Sequence, residues 1–166
     1  RICVECLESI KRQNGHFGIE IVWINDGSDK LSTMLLKREL ERFQKTTRFV
    51  KIVYEENDGN KGLGVSLNKG VLLCSNDIIC RMDADDIMSD DRLQTQISFM
   101  KNNKECVLCG SQIRMFKTIN NTKQVAGITS HEYVIDVNKY KTTRQHWIMN
   151  HPTFCFRKKE IIDVGN

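Results

Sequence analysis

The sequence predicts an α/β domain: a doubly wound, mostly parallel central sheet with helices on both faces. Three observations carry this reading. Short apolar runs alternate with stretches of helical periodicity through the first two-thirds of the chain, with short connections between them. The first of those runs is apolar almost without interruption, as a strand covered on both faces is. Two of the runs, Ile19–Ile24 and Ile78–Met82, end abruptly in acidic loops, and open α/β sheets bind ligands beyond the carboxyl ends of their strands. Right-handed crossovers place the two loops, 25–29 and 83–86, on the same edge of the sheet.

Length and composition set the outer limits. A chain of 166 residues suits one domain with a real core, here residues 1–166. With 40% apolar and 28% charged residues it reads as an ordinary soluble globular protein, and a single proline argues against disorder. The net charge of +4 is mild, and Lys and Arg are scattered apart from Arg157-Lys158-Lys159, which excludes a nucleic-acid stripe. No apolar stretch approaches the roughly 20 residues of a membrane span, and no signal peptide is recognisable. The chain begins at Arg1 inside a helical pattern and stops at Gly165-Asn166, so it is expected to be a piece of something longer. Of the seven cysteines, Cys3 and Cys6 form one C-x-x-C and Cys106 and Cys109 another. Zinc-binding pairs are usually separated by about 15–20 residues; these lie much further apart, and buried reduced thiols are the better expectation.

Taken in order, residues 2–13 place Ile2, Cys6, Leu7 and Ile10 at helical spacing, and Asn14-Gly15 ends that helix. Ile19–Ile24 is a strand running into Asn25-Asp26-Gly27-Ser28-Asp29. A helix follows over 30–46, with Leu31, Met34, Leu35 and Phe43 expected on the core side. Phe49–Glu55 is the next strand, Glu56–Gly62 a polar loop, and Leu63–Cys74 a helix expected to bury Leu63, Leu67, Val71 and Cys74. Phosphate-loop readings of these glycines fail. Val65 stands where a Walker lysine must be, and Leu67 takes the place of the third glycine of a dinucleotide fingerprint. Beyond Ile78–Met82, Leu93, Ile97 and Met100 share one face of a helix over about 90–102. Cys106–Phe116 reads as strand with a break at Gly110, 118–124 as a polar turn, and 131–149 leans helical near 133–147. Asn150-His151-Pro152 breaks what precedes it, Thr153–Arg157 is a strand, and Lys158–Val164 starts a helix.

The chemistry concentrates in Arg81-Met82-Asp83-Ala84-Asp85-Asp86. Side chains two apart in extended chain point the same way, so Asp83 and Asp85 are expected to face one cleft. Two anionic oxygen ligands suit a hard divalent cation, Mg²⁺ or Mn²⁺, and that cation suits a pyrophosphate. The competing reading is helix capping, with Ser89 before Asp90 and Asp91 as a helix start. An EF-hand loop counted from Asp83 fails, with Met88 at the glycine position and Gln94 at the final glutamate.

Four stretches in order resemble glycosyltransferase family 2. Glu20–Ser28 looks like that family's strand ending in Asp-Asp-Gly-Ser, with Asn25 in place of the first Asp. Asn60-Lys61-Gly62 and Ser66-Leu67-Asn68-Lys69-Gly70 are similar to its Asn-x-Gly segments, Arg81–Asp86 to its D-x-D motif, and Asn150–Thr153 with Phe156-Arg157-Lys158 to a His-Pro-Thr…Phe-Arg-Lys segment of polysaccharide-building members. The resemblance implies a Rossmann-like GT-A fold and an inverting, metal-dependent hexosyltransferase. Its donor would be a nucleotide-sugar, usually UDP-linked, and its acceptor a saccharide or lipid-linked glycan. It also implies a cytoplasmic chain, with the membrane surface as a further place of work. Residue by residue, Asp26 would contact uracil or ribose, and Lys61 would belong to the nucleotide-sugar site. Asp83 would lie near ribose or metal, and Asp85 would ligate Mn²⁺ or Mg²⁺. His151 and Arg157 are acceptor-side candidates, each also readable as structural. Trp147 is readable either as a sugar-stacking ring or as core. The family's first strand precedes Arg1, and its catalytic base, a carboxylate, is expected beyond Asn166; Asp163 sits in a helical pattern and is not assigned that role. Two other readings stay open: a nucleotide-binding domain without activity of its own, and a nucleotidyltransferase.

Overall fold

The computed structural model describes residues 2–120, 122–132, 138, 142 and 149–165. Apart from Asn138 and Thr142, which are helical, the expected helix at 133–147 lies outside them, as does Trp147. The elements are α1 (Ile2–Lys11), β1 (Ile19–Asn25), α2 (Lys30–Thr46), β2 (Val50–Glu56), α3 (Leu63–Leu73), β3 (Ile78–Cys80), α4 (Arg92–Asn102), β4 (Leu108–Cys109), β5 (Arg114–Ile119), β6 (Thr122–Ile128), a 3₁₀ turn (His151–Thr153), β7 (Cys155–Arg157) and α5 (Lys158–Asp163).

β1 shows why its sequence is apolar on both faces. It pairs in parallel with β2, Ile19 opposite Val50, Ile21 opposite Ile52 and Trp23 opposite Tyr54. These six residues share one face and pack with Cys6, Leu7 and Ile10 of α1, Leu40 and Phe43 of α2, and Leu93 of α4. Alternate side chains turn the other way: Gly70 of α3 lies against Ile24, and Glu20 accepts bonds from the Ser75 N–H and hydroxyl just past α3. A strand sandwiched in this way has no water-facing side on which to place alternating polar residues.

Two helix faces differ from expectation. In α2 Leu31, Met34 and Leu35 are exposed, and Thr33, Leu40 and Phe43 are buried, with Leu36 packed on the core. The face is selected by β2, against which only one stripe can lie. In α3 Leu63 and Leu67 are exposed, while Ser66 and Val71 are buried. Small residues, Ser66 and Gly70, let α3 approach β1 closely, which a hydrophobicity count does not reveal.

The sheet also differs from a continuous parallel array. Among the described residues it falls into three sets: β1-β2, β3-β7-β4, and the β5-β6 hairpin. β3 and β4 each pair antiparallel with β7, and so run parallel to one another with α4 as their crossover. β7 lies between them reversed, because the chain leaves the sheet after Cys109 and re-enters opposite the same residue, at Cys155. The break at Gly110 is present, but the stretch read as a turn is mostly ladder: Ile119 pairs with Thr122, and Asn120 takes a positive φ of 50° that asparagine tolerates. The dipeptide Asn120-Asn121 between alternating runs was the available hairpin signal. No helix among the described residues is long and apolar enough to cross a membrane.

Leu7, only 2% exposed, sits at the centre of the α1–α2–sheet contact. Leu7→Ala is expected to lower the unfolding free energy by about 2–5 kcal/mol, read as a lower urea midpoint at unchanged slope.

Candidate functional site

The first acidic loop is a clamp. Asp26 accepts bonds on Oδ1 from the Asn57 side-chain amide and the Lys61 N–H, both at 2.8 Å, and on Oδ2 from the Gly62 N–H at 2.9 Å. The Asn57 amide, followed by the Lys61 N–H, holds this carboxyl below the usual carboxylate range. Gly27 and Gly62 adopt φ of 80° and 88°. A Cβ on Gly27 would stand 2.6 Å from the Asn60 nitrogen, so the two loops meet backbone to backbone. Asn57 also donates to Ser66 Oγ at 2.9 Å, and Lys69 donates to Asn57 Oδ1 while pairing with Glu55. Asp26 therefore sets the path of 57–62 and the start of α3, and the exposed Lys61 ammonium is carried on that path.

Asn25 is buried and satisfied internally. Its amide donates to Thr33 Oγ1 and Tyr54 Oη, each at 2.9 Å, and its oxygen accepts from the Ser28 N–H. With Asn25 as donor, Tyr54 keeps its own proton for Glu56, which pairs in turn with Lys37. The neutral amide is thus a scaffold for the turn into α2.

The second acidic loop is crowded instead of saturated. β3 ends at Cys80, and Asp83–Asp86 forms a turn closed by the Asp86 N–H on the Asp83 carbonyl. Strand alternation therefore does not set the directions of Asp83 and Asp85; the turn does. Nor do these residues cap α4, whose N-cap is Asp91. Asp83 pairs with Arg81, and Asp85 is exposed. Burial, followed by the charges of Asp83 and Asp85, pushes the Asp86 carboxyl upward. Arg81 is 9% exposed, and its Nε and Nη1 are buried without a partner. Such unpaired buried donors are uncommon.

A buried polar network supports this loop. Arg92 donates through Nη2 to the Arg81 carbonyl at 2.7 Å and the Pro152 carbonyl at 3.3 Å, and through Nε to Gln96. Gln96 donates to the Thr153 carbonyl at 2.8 Å. From the other side Gln13 donates to the Ser89 carbonyl and accepts from the Leu93 N–H. The turn carrying His151 is in this way joined to the carboxylate loop. Arg92, Gln96 and Asn57 were missed in the sequence; the available signal was two polar residues at positions 92 and 96, on the same helical face as Leu93 and Met100.

Arg157 lies elsewhere. Its guanidinium donates to the Met100 carbonyl at 2.6 Å, the Asn103 carbonyl at 3.3 Å and the Cys106 carbonyl at 3.1 Å, closing the carboxyl end of α4. Lys158 does the same for α3 through the Leu72 and Cys74 carbonyls. Both basic side chains hold helix ends rather than standing in solvent.

Among the described residues no three His, Cys, Asp or Glu side chains converge to hold a metal ion. The donor chemistry nevertheless fits a hard cation that takes one or two carboxylates from protein and the rest of its shell from phosphate and water. Two surface concavities, of about 160 Å³ between α1 and α2 and about 470 Å³ beside Ser28, Thr33 and Lys37, lie away from the carboxylate turn. Residues 83–86 line neither of them.

The family model described as Glycosyl transferase family 2 matches residues 3–165. An uncharacterized glycosyltransferase of Haemophilus influenzae is 32% identical over 97% of the chain and 57% of the relative. The amylovoran biosynthesis glycosyltransferase AmsE of Erwinia amylovora is 30% identical over 98% of the chain and 56% of its own length. The UDP-Gal:alpha-D-GlcNAc-diphosphoundecaprenol beta-1,3-galactosyltransferase of Escherichia coli is 29% identical over 97% and 54%. The chain thus spans little more than half the length of these relatives.

Two outcomes are expected. Asp26→Asn removes an ionised acceptor, so the Lys61 and Gly62 amides should exchange faster with solvent. Because the folded carboxyl titrates below its ordinary value, the stability lost in this variant is full at pH 7 and shrinks as pH falls from about 4, the ordinary carboxyl value, through the lower pH at which folded Asp26 takes up its proton; urea unfolding at pH 7 and at a pH well below about 4 checks it. Arg157→Ala should cost about 1–3 kcal/mol through the carbonyls left unpaired, seen in the same assay.

Proposed function

The chain belongs to glycosyl transferase family 2, and on that premise we propose that it binds the donor of a glycosyltransferase that moves a sugar, with inversion, from a UDP-sugar to a saccharide or lipid-linked acceptor in glycan or polysaccharide synthesis. The observation that carries the reading is Arg81, buried with two unpartnered nitrogens beneath three crowded carboxylates. Such a loop is electrostatically incomplete: the carboxylates call for a cation, and the guanidinium for a further acceptor. A nucleoside diphosphate with a divalent cation supplies both. The relatives' names support the sugar chemistry, one through amylovoran biosynthesis and one through UDP-Gal and alpha-D-GlcNAc-diphosphoundecaprenol.

In this reading Asp85 and Asp83 hold Mn²⁺ or Mg²⁺, which when bound offsets charge growing on the departing diphosphate. Asp26 keeps the 57–62 loop in the shape that receives the nucleotide, and Lys61 offers its ammonium to the diphosphate. Arg81 holds Asp83 in place. His151, fixed to the same loop through Arg92, stands on the acceptor side. An inverting displacement needs a base for the acceptor hydroxyl, and no residue of the chain is assigned that role.

Thermal unfolding with UDP, with and without Mn²⁺, tests the site. Ligand at 100 times its dissociation constant stabilises by about 2.7 kcal/mol, a rise of several degrees in a domain of this size. The rise should require Mn²⁺ and disappear in Asp85→Ala. Equal stabilisation of that variant overturns the assignment of Asp85.

A further inference from the structure

Three thiols stand in one row across the β3-β7-β4 sheet. Cys155 is opposite Cys80 on one side and opposite Cys109 on the other. Directly opposed residues share a face of the sheet, so all three sulfurs project the same way. The backbone bonds distinguish the two pairs. The Arg81 N–H bonds the Phe154 carbonyl at 2.7 Å, one residue outside the Cys80–Cys155 pair, which makes it a non-hydrogen-bonded pair. The Arg157 N–H bonds the Val107 carbonyl at 3.0 Å; this places the non-hydrogen-bonded pair at Leu108–Phe156 and leaves Cys109–Cys155 as the hydrogen-bonded one. Opposed Cα atoms in these two settings are about 4.5 and 5.5 Å apart, with side chains closer in the first. Both lie within the reach of a disulfide. All seven cysteines are free thiols, Cys155 fully buried and Cys80 and Cys109 half-buried.

We infer that this row is an oxidation site, in which Cys80 and Cys155 close to a disulfide that staples β3 to β7 immediately before the carboxylate turn. Cys80 is the reachable partner and Cys155 the resolving one. With hydrogen peroxide as oxidant, the Cys80 thiolate attacks one oxygen and the O–O bond breaks. The departing hydroxide takes up the thiol proton as water, leaving a sulfenic acid on Cys80. The Cys155 sulfur then attacks the Cys80 sulfur, the S–O bond breaks, and a second water leaves with the Cys155 proton. Two thiols and one peroxide become one disulfide and two waters. The surroundings divide the roles. Hydrogen bonding to Cys155, with the Arg92 guanidinium nearby, pulls the Cys80 and Cys109 thiols downward, and the same bonding pushes the Cys155 thiol up, so Cys80 is the one oxidised and Cys155 brings its proton to the second step. Burial pushes Cys6 up to about 12 and also raises Cys74 and Cys106.

The reduced chain, treated with graded peroxide, alkylated and mapped by peptide mass spectrometry, tests this. The Cys80–Cys155 cross-link should form first and predominate, and should persist in Cys109→Ser. It should vanish in Cys155→Ala and be replaced by Cys109–Cys155 in Cys80→Ala, whose half-buried position makes it the safer variant to fold. First bonds at Cys3–Cys6 or Cys106–Cys109, or a Cys155 that stays as alkylatable as Cys74 throughout, overturn the inference. Because the readout is covalent and needs no nucleotide, its failure is distinct from failure of the donor site.

Discussion

One buried cation holds the carboxylate end of this domain together. The Arg92 guanidinium touches the carbonyls of Arg81 and Pro152, residues far apart in the chain, and is aligned by Gln96. A buried charge is tolerable only when its donors are met, and here the acceptors are backbone oxygens where the chain leaves β3 and where it approaches β7. The carboxylate turn and the His151 turn are therefore set relative to each other by a helix side chain, and α4 could not rotate without orphaning all of these groups.

The two acidic loops show opposite solutions to the same local chemistry. At Asp26 the negative charge is matched by N–H donors of the chain itself, so the loop is rigid and complete. At Asp83–Asp86 three carboxylates crowd together, Arg81 pairs with Asp83 alone among them, and two of its buried nitrogens have no partner. The first arrangement fixes the geometry of its loop, and the second leaves charge and donors unmatched.

Much of this was legible in the sequence. β1 announced itself because covering on both faces leaves an unbroken apolar run, and the two acidic loops announced themselves as carboxylates gathered directly after such runs, though one of them proved to be a clamp on its own chain. What was not legible depended on tertiary choice. Leu31, Met34 and Leu35 form as good an apolar stripe as the one that α2 buries, and only the position of β2 decides between them. The reversed β7 reads like any short strand, since three residues carry no direction. Arg157 looked available for a ligand because a sequence does not show that α4 ends beside it. The apparent peculiarity of Asn25 is resolved only by seeing Tyr54 and Thr33 around it.

The position of β7 has a consequence for how the domain is made. It is the middle strand of its sheet, yet it is synthesised well after both of the strands it joins. Until Arg157 has emerged, β3 and β4 have no partner between them, and each presents an open edge to whatever strand is near. Assembly of this half depends on contacts of long sequence separation, which form slowly, whereas β1, α2 and β2 complete their own unit as they appear. The carboxylate turn consequently acquires its shape only after β7 has joined, and the interval before it does so is when the nascent chain most needs protection from its neighbours.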